Sequence, residues 1–393
     1  MASVEACGMP IERIFFNHRL SNRYERFRNI ACKPFVWHSL PSLLMTLFRS
    51  SLLSFLLPFI AQADQIVLVA GGTQDAVDIQ ATDAVLKEPF GTAFDNGGHM
   101  WIVEMASGNR LLEVDGGGLI QHVAGQLTPG DSGDGGQAIR AQFNGPHNLA
   151  ILPDGKVLIG DTWNGRVRVV DVKARIVSTL EGWQAPPGKA KGNGPYCITL
   201  NFEGTKLYIA NLLQVIELDL ATHQSKVIAG NGKKGKPEDG AVAVDAPLSD
   251  PRAVAPDRQG NVYILERGGN ALRVVDKSGH IRTVVNASGK QGRTGDGGPA
   301  LEATMSGPKH LCVDKDDSVI IADAESHLVR RYVPSTGQME RIAGTGKQGS
   351  AGLDGDPKQC QLSRPHGVTI HPESGQLYIT DSYNNRVLKI VKN

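Results

Sequence analysis

Six prolines, Pro89, Pro146, Pro195, Pro251, Pro308 and Pro365, recur at steps of 57, 49, 56, 57 and 57 residues. Each opens a variation on one plan. A short apolar run comes first, such as Gly91-Thr92-Ala93-Phe94 or Leu311-Cys312-Val313. Asp, Asn and Gly then mark a turn, as in Asp95-Asn96-Gly97 and Pro153-Asp154-Gly155. A second run, such as Val157-Leu158-Ile159 or Leu377-Tyr378-Ile379, ends on an acidic or amide residue: Glu104, Asp161, Asn211, Glu266, Asp323 or Asp381. Third and fourth runs follow, for example Val167-Arg168-Val169-Val170 and Arg282-Thr283-Val284-Val285. Short β-branched runs bounded by turn residues read as strands. A long self-similar period of this kind denotes a repeat array, and four antiparallel strands per period make a propeller blade.

The last period holds only three such runs before Asn393. The missing fourth stands at the other end, where Ile66-Val67-Leu68-Val69-Ala70-Gly71 matches Arg341-Ile342-Ala343-Gly344 and Val227-Ile228-Ala229-Gly230. Pairing the two ends would remove an open sheet edge, which otherwise invites aggregation. The expected fold is therefore all-β: a six-bladed β-propeller of four-stranded blades over residues 64–393, the N-terminal strand closing the C-terminal blade. The joints between blades repeat too, with Gly133-Asp134-Gly135-Gly136, Gly295-Asp296-Gly297-Gly298 and Leu353-Asp354-Gly355-Asp356. A short helical turn is expected at Pro299-Ala300-Leu301-Glu302-Ala303, and Trp183 to Pro187 replaces the Asp-Gly run in one joint.

Ala-Gly-x-Gly, Gly-Asp-Gly-Gly-Pro-Ala, the strand start after each proline and Leu377-Tyr378-Ile379-Thr380-Asp381-Ser382-Tyr383-Asn384-Asn385-Arg386-Val387 together resemble NHL-repeat proteins. The resemblance spans nearly all of residues 66–393. It implies a six-bladed propeller, distantly similar to gluconolactonase-like propellers, and it implies binding scaffolds as well as a few enzymes. In such propellers the first strand of each blade lines the central channel and begins near one mouth. The residue after each opening proline is then expected there: Phe90, His147, Tyr196, Arg252, Lys309 and His366.

Of that ring, His147, Tyr196, Arg252, Lys309 and His366 are the candidate ligand-binding residues. Arg and Lys supply charge-assisted hydrogen bonds and the aromatic residues a stacking wall, which suits an anionic small molecule or an acidic side chain of a protein partner. A structural reading stands beside it, in which Arg252 and Lys309 pair with Glu266 and Asp323. The ring of strand-end acids could likewise offer oxygen ligands to calcium, or bond nearby backbone as Asp does at turns. Gluconolactonase-like propellers imply a divalent metal on Glu, Asn and Asp, for which Asn148 and Asn211 are the suggestive amides. Amidating-lyase propellers imply zinc on three histidines, for which His147, His310 and His366 are available but do not alternate around the ring. No catalytic residues are assigned and no cofactor is expected, with calcium or zinc as the alternative, for a metal-dependent hydrolase or lyase. The sequence carries no Gly-x-Ser-x-Gly elbow, metalloprotease helix or phosphate loop.

A formal net charge of +1 gives no reason to expect nucleic acid. No apolar run is long enough to span a bilayer as a helix, and the chain is expected to act as a monomer. Met45 to Phe48 with Arg49, the apolar stretch Leu52 to Ile60 and the small-x-small site Ala61-Gln62-Ala63 read as a signal peptide over residues 45–63. Residues 1–44 are either an over-extended start or an unusually long Arg-rich leader. The expected location is secreted or periplasmic. Cys197, Cys312 and Cys360, the three cysteines after Ala63, give no even disulfide framework. N-terminal sequencing of the exported protein should begin at Asp64; a protein that starts upstream of it and stays in the cytoplasm would contradict this.

Overall fold

The computed structural model describes residues 63–185 and 193–392. The leader segments 1–44 and 45–63 lie almost wholly outside the described residues, as does part of the joint from Trp183 to Pro187. The described residues form six antiparallel sheets, each a blade with its first strand innermost. Blade 1 runs through Pro89–Phe94, Met100–Glu104, Arg110–Val114 and Leu119–Gly125. Blade 6 runs through Gly367–Ile370, Leu377–Asp381 and Arg386–Val391, and Gln65–Ala70 supplies its fourth strand. That closing strand is antiparallel to the last one, with Ile66 opposite Ile390 and Leu68 opposite Leu388. The expected fold is the observed one, and none of its described helices is long and apolar enough to cross a membrane.

Period-2 alternation puts apolar side chains on both faces of each blade, and neighbouring blades bury them against each other. Trp101, Val103 and Leu111 of blade 1 pack with Leu149, Val157 and Ile159 of blade 2. Ile66, Leu388 and Ile390 of blade 6 pack with Ile320 and Val329 of blade 5. On the other side of blade 6, Tyr378 and Val387 pack with Ile102 and Leu112 of blade 1. The apolar contacts therefore run on through the blade that holds both chain ends.

The joints do more than connect. Those before blades 1, 4 and 5 add a two-residue fifth strand to the outer edge of the blade they enter: Ile79–Gln80, Ala241–Val242 and Gly298–Pro299. Pro299 thus belongs to a strand, and the expected turn follows it directly, with the Glu302 N–H bonded to the Pro299 carbonyl at 3.1 Å and the Ala303 N–H to the Ala300 carbonyl at 3.2 Å. Short helical turns fall in two other joints, at Ala138–Arg140 and Pro357–Gln359. In those two joints the outer edge is also bridged, Gln137 to Ile176 and Gly355 to Ile66, and such pairing satisfies backbone groups that the edge strand would leave bare.

The repeated acids at the second-strand ends fix the joints. Their carboxylates are fully buried. Each accepts a backbone N–H from the chain just before its blade's first strand: Lys87 to Glu104 at 2.6 Å, Asn144 to Asp161 at 2.7 Å, Ser249 to Glu266 at 2.6 Å, Ser306 to Asp323 at 2.8 Å and Ser363 to Asp381 at 2.6 Å. Each also meets an arginine from the third strand: Arg110, Arg168, Arg273, Arg330 and Arg386. Arg168 and Arg330 reach further, to Asp134 and Asp296 of the Gly-Asp-Gly-Gly joints at 3.0 and 2.7 Å. Asp is repeated in those joints because a buried guanidinium needs a second acceptor. Asn211 of blade 3 stands apart, accepting N–H bonds from Leu213 and Gln214 in its own turn.

Removing one partner from a buried ion pair leaves an uncompensated charge and costs about 3–5 kcal/mol, whereas replacing both by apolar residues costs far less. Glu266→Leu should therefore lower the urea midpoint strongly, and Glu266→Leu with Arg273→Met should recover part of the loss. Equal midpoints for the wild type and the single variant would contradict this pairing.

Candidate functional site

The six residues that follow the blade-opening prolines meet around one cavity of about 160 Å³ at the channel mouth. Phe90, His147, Tyr196, Arg252, Lys309 and His366 all line it, joined by Met105, His310 and Tyr383. The repeat explains the convergence. Each first strand begins at the same height, so the residue after each proline lands in one layer.

The layer is divided into two chemically different arcs. Phe90 stacks on His366 with centroids 4.1 Å apart and meets His147 edge-on at 5.2 Å. His147 meets Tyr196 edge-on at 4.9 Å, and the Arg252 guanidinium lies 4.1 Å over the Tyr196 ring. Blades 6, 1, 2 and 3 thus give a continuous aromatic wall, and blades 4 and 5 give Arg252 and Lys309. One layer deeper, Asn148 of blade 2 and His310 of blade 5 face each other across the channel, with Asn148 Nδ2 2.9 Å from His310 Nε2. Asn148 Oδ1 accepts the Ile198 N–H at 3.0 Å. These two side chains floor the cup.

The structural pairing expected for the two cations does not form. Glu266 and Asp323 are taken by Arg273 and Arg330. Arg252 Nε instead lies 3.3 Å from Asp250 Oδ1, near enough for charge attraction but outside hydrogen-bond alignment. Asp250 is shared with Arg267. Lys309 Nζ lies 3.8 Å from Glu325, which makes a closer pair with Arg364 at 2.7 Å. In these contacts four cations, Arg252, Arg267, Lys309 and Arg364, share two carboxylates, Asp250 and Glu325.

Burial tunes these groups. Desolvation first, then the neighbouring Arg252 and Arg267, lowers the Lys309 pKa to about 8, against the pull of Glu325 and Asp250. Burial, with Arg252 next, pushes His147 down to about 3. His366 is lowered well below the usual histidine value, by burial first and then by Lys309. Both imidazoles are therefore neutral at pH 7. Each directs Nδ1 to the carbonyl two residues back, His147 to Gly145 at 2.7 Å and His366 to Arg364 at 2.8 Å. Neutral Nδ1–H donors to those carbonyls leave the Nε2 lone pairs as acceptors.

His147, His310 and His366 do not converge as a metal set. Among the described residues, the cluster whose ligand atoms approach closely enough is Asp95, His99 and Glu113, at the far end of the first blade strand. There His99 Nδ1 lies 2.7 Å from Glu113, and Asp95 accepts N–H bonds from Gly97, His99 and Trp101. Among the described residues, Cys197, Cys312 and Cys360 are free thiols.

The sequence reading missed the rim. Trp163, Glu325 and Tyr383 sit on single 3-10 turns, Thr162–Asn164, Ala324–Ser326 and Ser382–Asn384, directly after the strand-end acids. Tyr383 stacks at 5.7 Å on His366, and Arg364 lies 5.1 Å over the Tyr383 ring. The signal was available: two residues past Asp161, Asp323 and Asp381 the repeat stops agreeing with itself.

The NHL repeat family model matches residues 143–170 and 362–390, and the Teneurin NHL domain model matches residues 201–292. Protein SUPPRESSOR OF QUENCHING 1, chloroplastic, of Arabidopsis thaliana is 27% identical over 267 residues, 63% of this chain and 25% of that protein. The chain thus spans about a quarter of that relative's length. An auxiliary nutrient binding protein from Bacteroides thetaiotaomicron superposes with a TM-score of 0.62 at 16% identity, over 84% of this chain and 78% of that one. Virginiamycin B lyase from Staphylococcus aureus superposes with a TM-score of 0.50 at 14% identity, over 84% and 99% of the two chains. At such identities the structural likeness is one of fold, and the fold serves both binding proteins and enzymes. The NHL repeats matched at residues 143–170 and 362–390 agree with the repeat pattern, and the described residues fold as a six-bladed β-propeller.

Proposed function

We propose that this propeller is an exported binding module whose channel mouth takes an anionic small molecule with a flat apolar body. The observation that carries the reading is the divided cup: an aromatic arc faces Arg252 and Lys309, and four cations share two carboxylates in the contacts these two make. An anion at Arg252 gains charge-assisted hydrogen bonds where little water competes, while its body stacks against Phe90, His147 and Tyr196. A cavity of about 160 Å³ is of the size that holds a benzene-like ring. It would also accept one acidic side chain of a protein partner, and a peptide carboxylate is the second ligand to test. The signal-peptide reading supports export, and a nutrient binding protein shares the fold.

Benzoate supplies both features and benzamide lacks the charge. Calorimetry should show benzoate binding and no benzamide binding. A hydrogen bond to a charged group contributes about 1.5–3 kcal/mol, so Arg252→Met should weaken benzoate at least about tenfold. Affinity should also fall as pH rises through about 8, where Lys309 loses its proton and Arg252 keeps its own. Failure of benzoate, phenylphosphonate and benzenesulfonate all to bind would overturn the reading. So would unchanged affinity in the Arg252→Met, Lys309→Met double variant.

A further inference from the structure

We infer that Lys309 is a carbonyl-capturing amine: it forms a reversible imine with an anionic aldehyde or oxo acid whose carboxylate sits on Arg252. The inference rests on the cup reading above and adds covalent chemistry to it. Lys309 is not placed like a solvated surface lysine. Its side chain is 15% exposed, inside the cavity, on the same cationic arc as Arg252. An anion anchored at Arg252 therefore presents its neighbouring atoms to Nζ. For an oxo acid, the neighbouring atom is the electrophilic carbonyl carbon.

The groups an imine needs are present. An amine attacks only with its lone pair free, and desolvation beside another cation is a general way to free it. Burial and Arg252 act on Lys309 in that sense, with Arg267 adding to them and Glu325 and Asp250 opposing. The acceptors are Glu325, 3.8 Å from Nζ, and the Nε2 lone pair of His366, left open because Nδ1 is turned to the Arg364 carbonyl. The step balances without an oxidant. The Nζ lone pair forms the C–N bond as the C=O π pair moves to oxygen, giving a carbinolamine after Nζ passes one proton to Glu325 or His366 Nε2 and the oxygen gains one. The hydroxyl then takes back the proton from that acceptor and leaves as water while the nitrogen lone pair closes the C=N bond, and the iminium releases its remaining N–H proton to the same acceptor or to solvent. The products are an imine and one water. The buried clamps of the blades take other arginines and other carboxylates.

The test is reductive trapping on the full mature chain. Protein is incubated near pH 7.5 with glyoxylate and cyanoborohydride, which supplies the hydride, and modified lysines are mapped by mass spectrometry. A lysine near pKa 8 carries far more free amine than one near 10.4, so Lys309 should be modified at least about tenfold faster than the mean of the other lysines. Benzoate should suppress that preference, and propanal, a neutral aldehyde, should not show it. Lys309→Arg should lose the preferential label, and Lys309→Met should do the same if arginine perturbs the packing. Labelling of Lys309 no faster than the other lysines, with benzoate still bound by the wild type, overturns the imine and leaves the cup reading standing. Equal preference for propanal overturns the anionic class of substrate. Loss of both benzoate binding and selective labelling overturns the two together.

Discussion

Pairing of Gln65–Ala70 with Arg386–Val391 completes the sixth blade and so the ring of blades whose first strands carry the channel mouth. Without it, blade 6 would end on an uncovered strand and the ring would lack one of its walls. With it, Ile66 and Ile390 are both buried, and apolar contacts run through blade 6 from blade 5 to blade 1. Phe90 stacks on His366 across that same boundary, although 276 positions separate them in sequence. Thr92 and Thr369 are joined there by hydrogen bonding as well. Closure therefore builds the blade and, with it, one side of the cup.

The second constraint is the buried clamp at five of the six blades. A carboxylate at the end of the second strand holds a joint N–H on one side and a third-strand arginine on the other. For Glu104, Glu266, Asp161 and Asp323, burial raises the pKa against the pull of the arginine, which takes Asp161 to about 6 and Asp323 to about 7. Such clamps fix geometry more than they add stability. Here they fix the start of five of the six first strands, which carry the cup. The acids considered as oxygen ligands for calcium thus accept joint N–H groups and pair with arginines within the blades that carry the cup.

How much of this could be read from the chain follows from where repetition reaches. The blade count, the closing strand and the six residues of the cup were legible because they recur at one register in every period. His310 sits one place after Lys309, and that single step puts it in the floor with Asn148 instead of the ring. The partners of the two cations were not legible. Asp250 and Glu325 are off the repeated positions, one just before its proline and one on a rim turn. Nor were the clamps foreseen, although an arginine in the third strand, seven residues after each of Asp161, Glu266 and Asp323, was a visible sign of them. The Asp-Gly joints looked like loop chemistry alone because their acceptor role depends on a side chain from another strand.

The claim on which the cup depends is that both chain ends share one sheet, and hydrogen–deuterium exchange on the mature chain tests it directly. The account predicts that the 65–70 segment exchanges as slowly as 386–391 and that the two become exposed together in denaturant. Rapid exchange of 65–70, with 386–391 still protected, would contradict it.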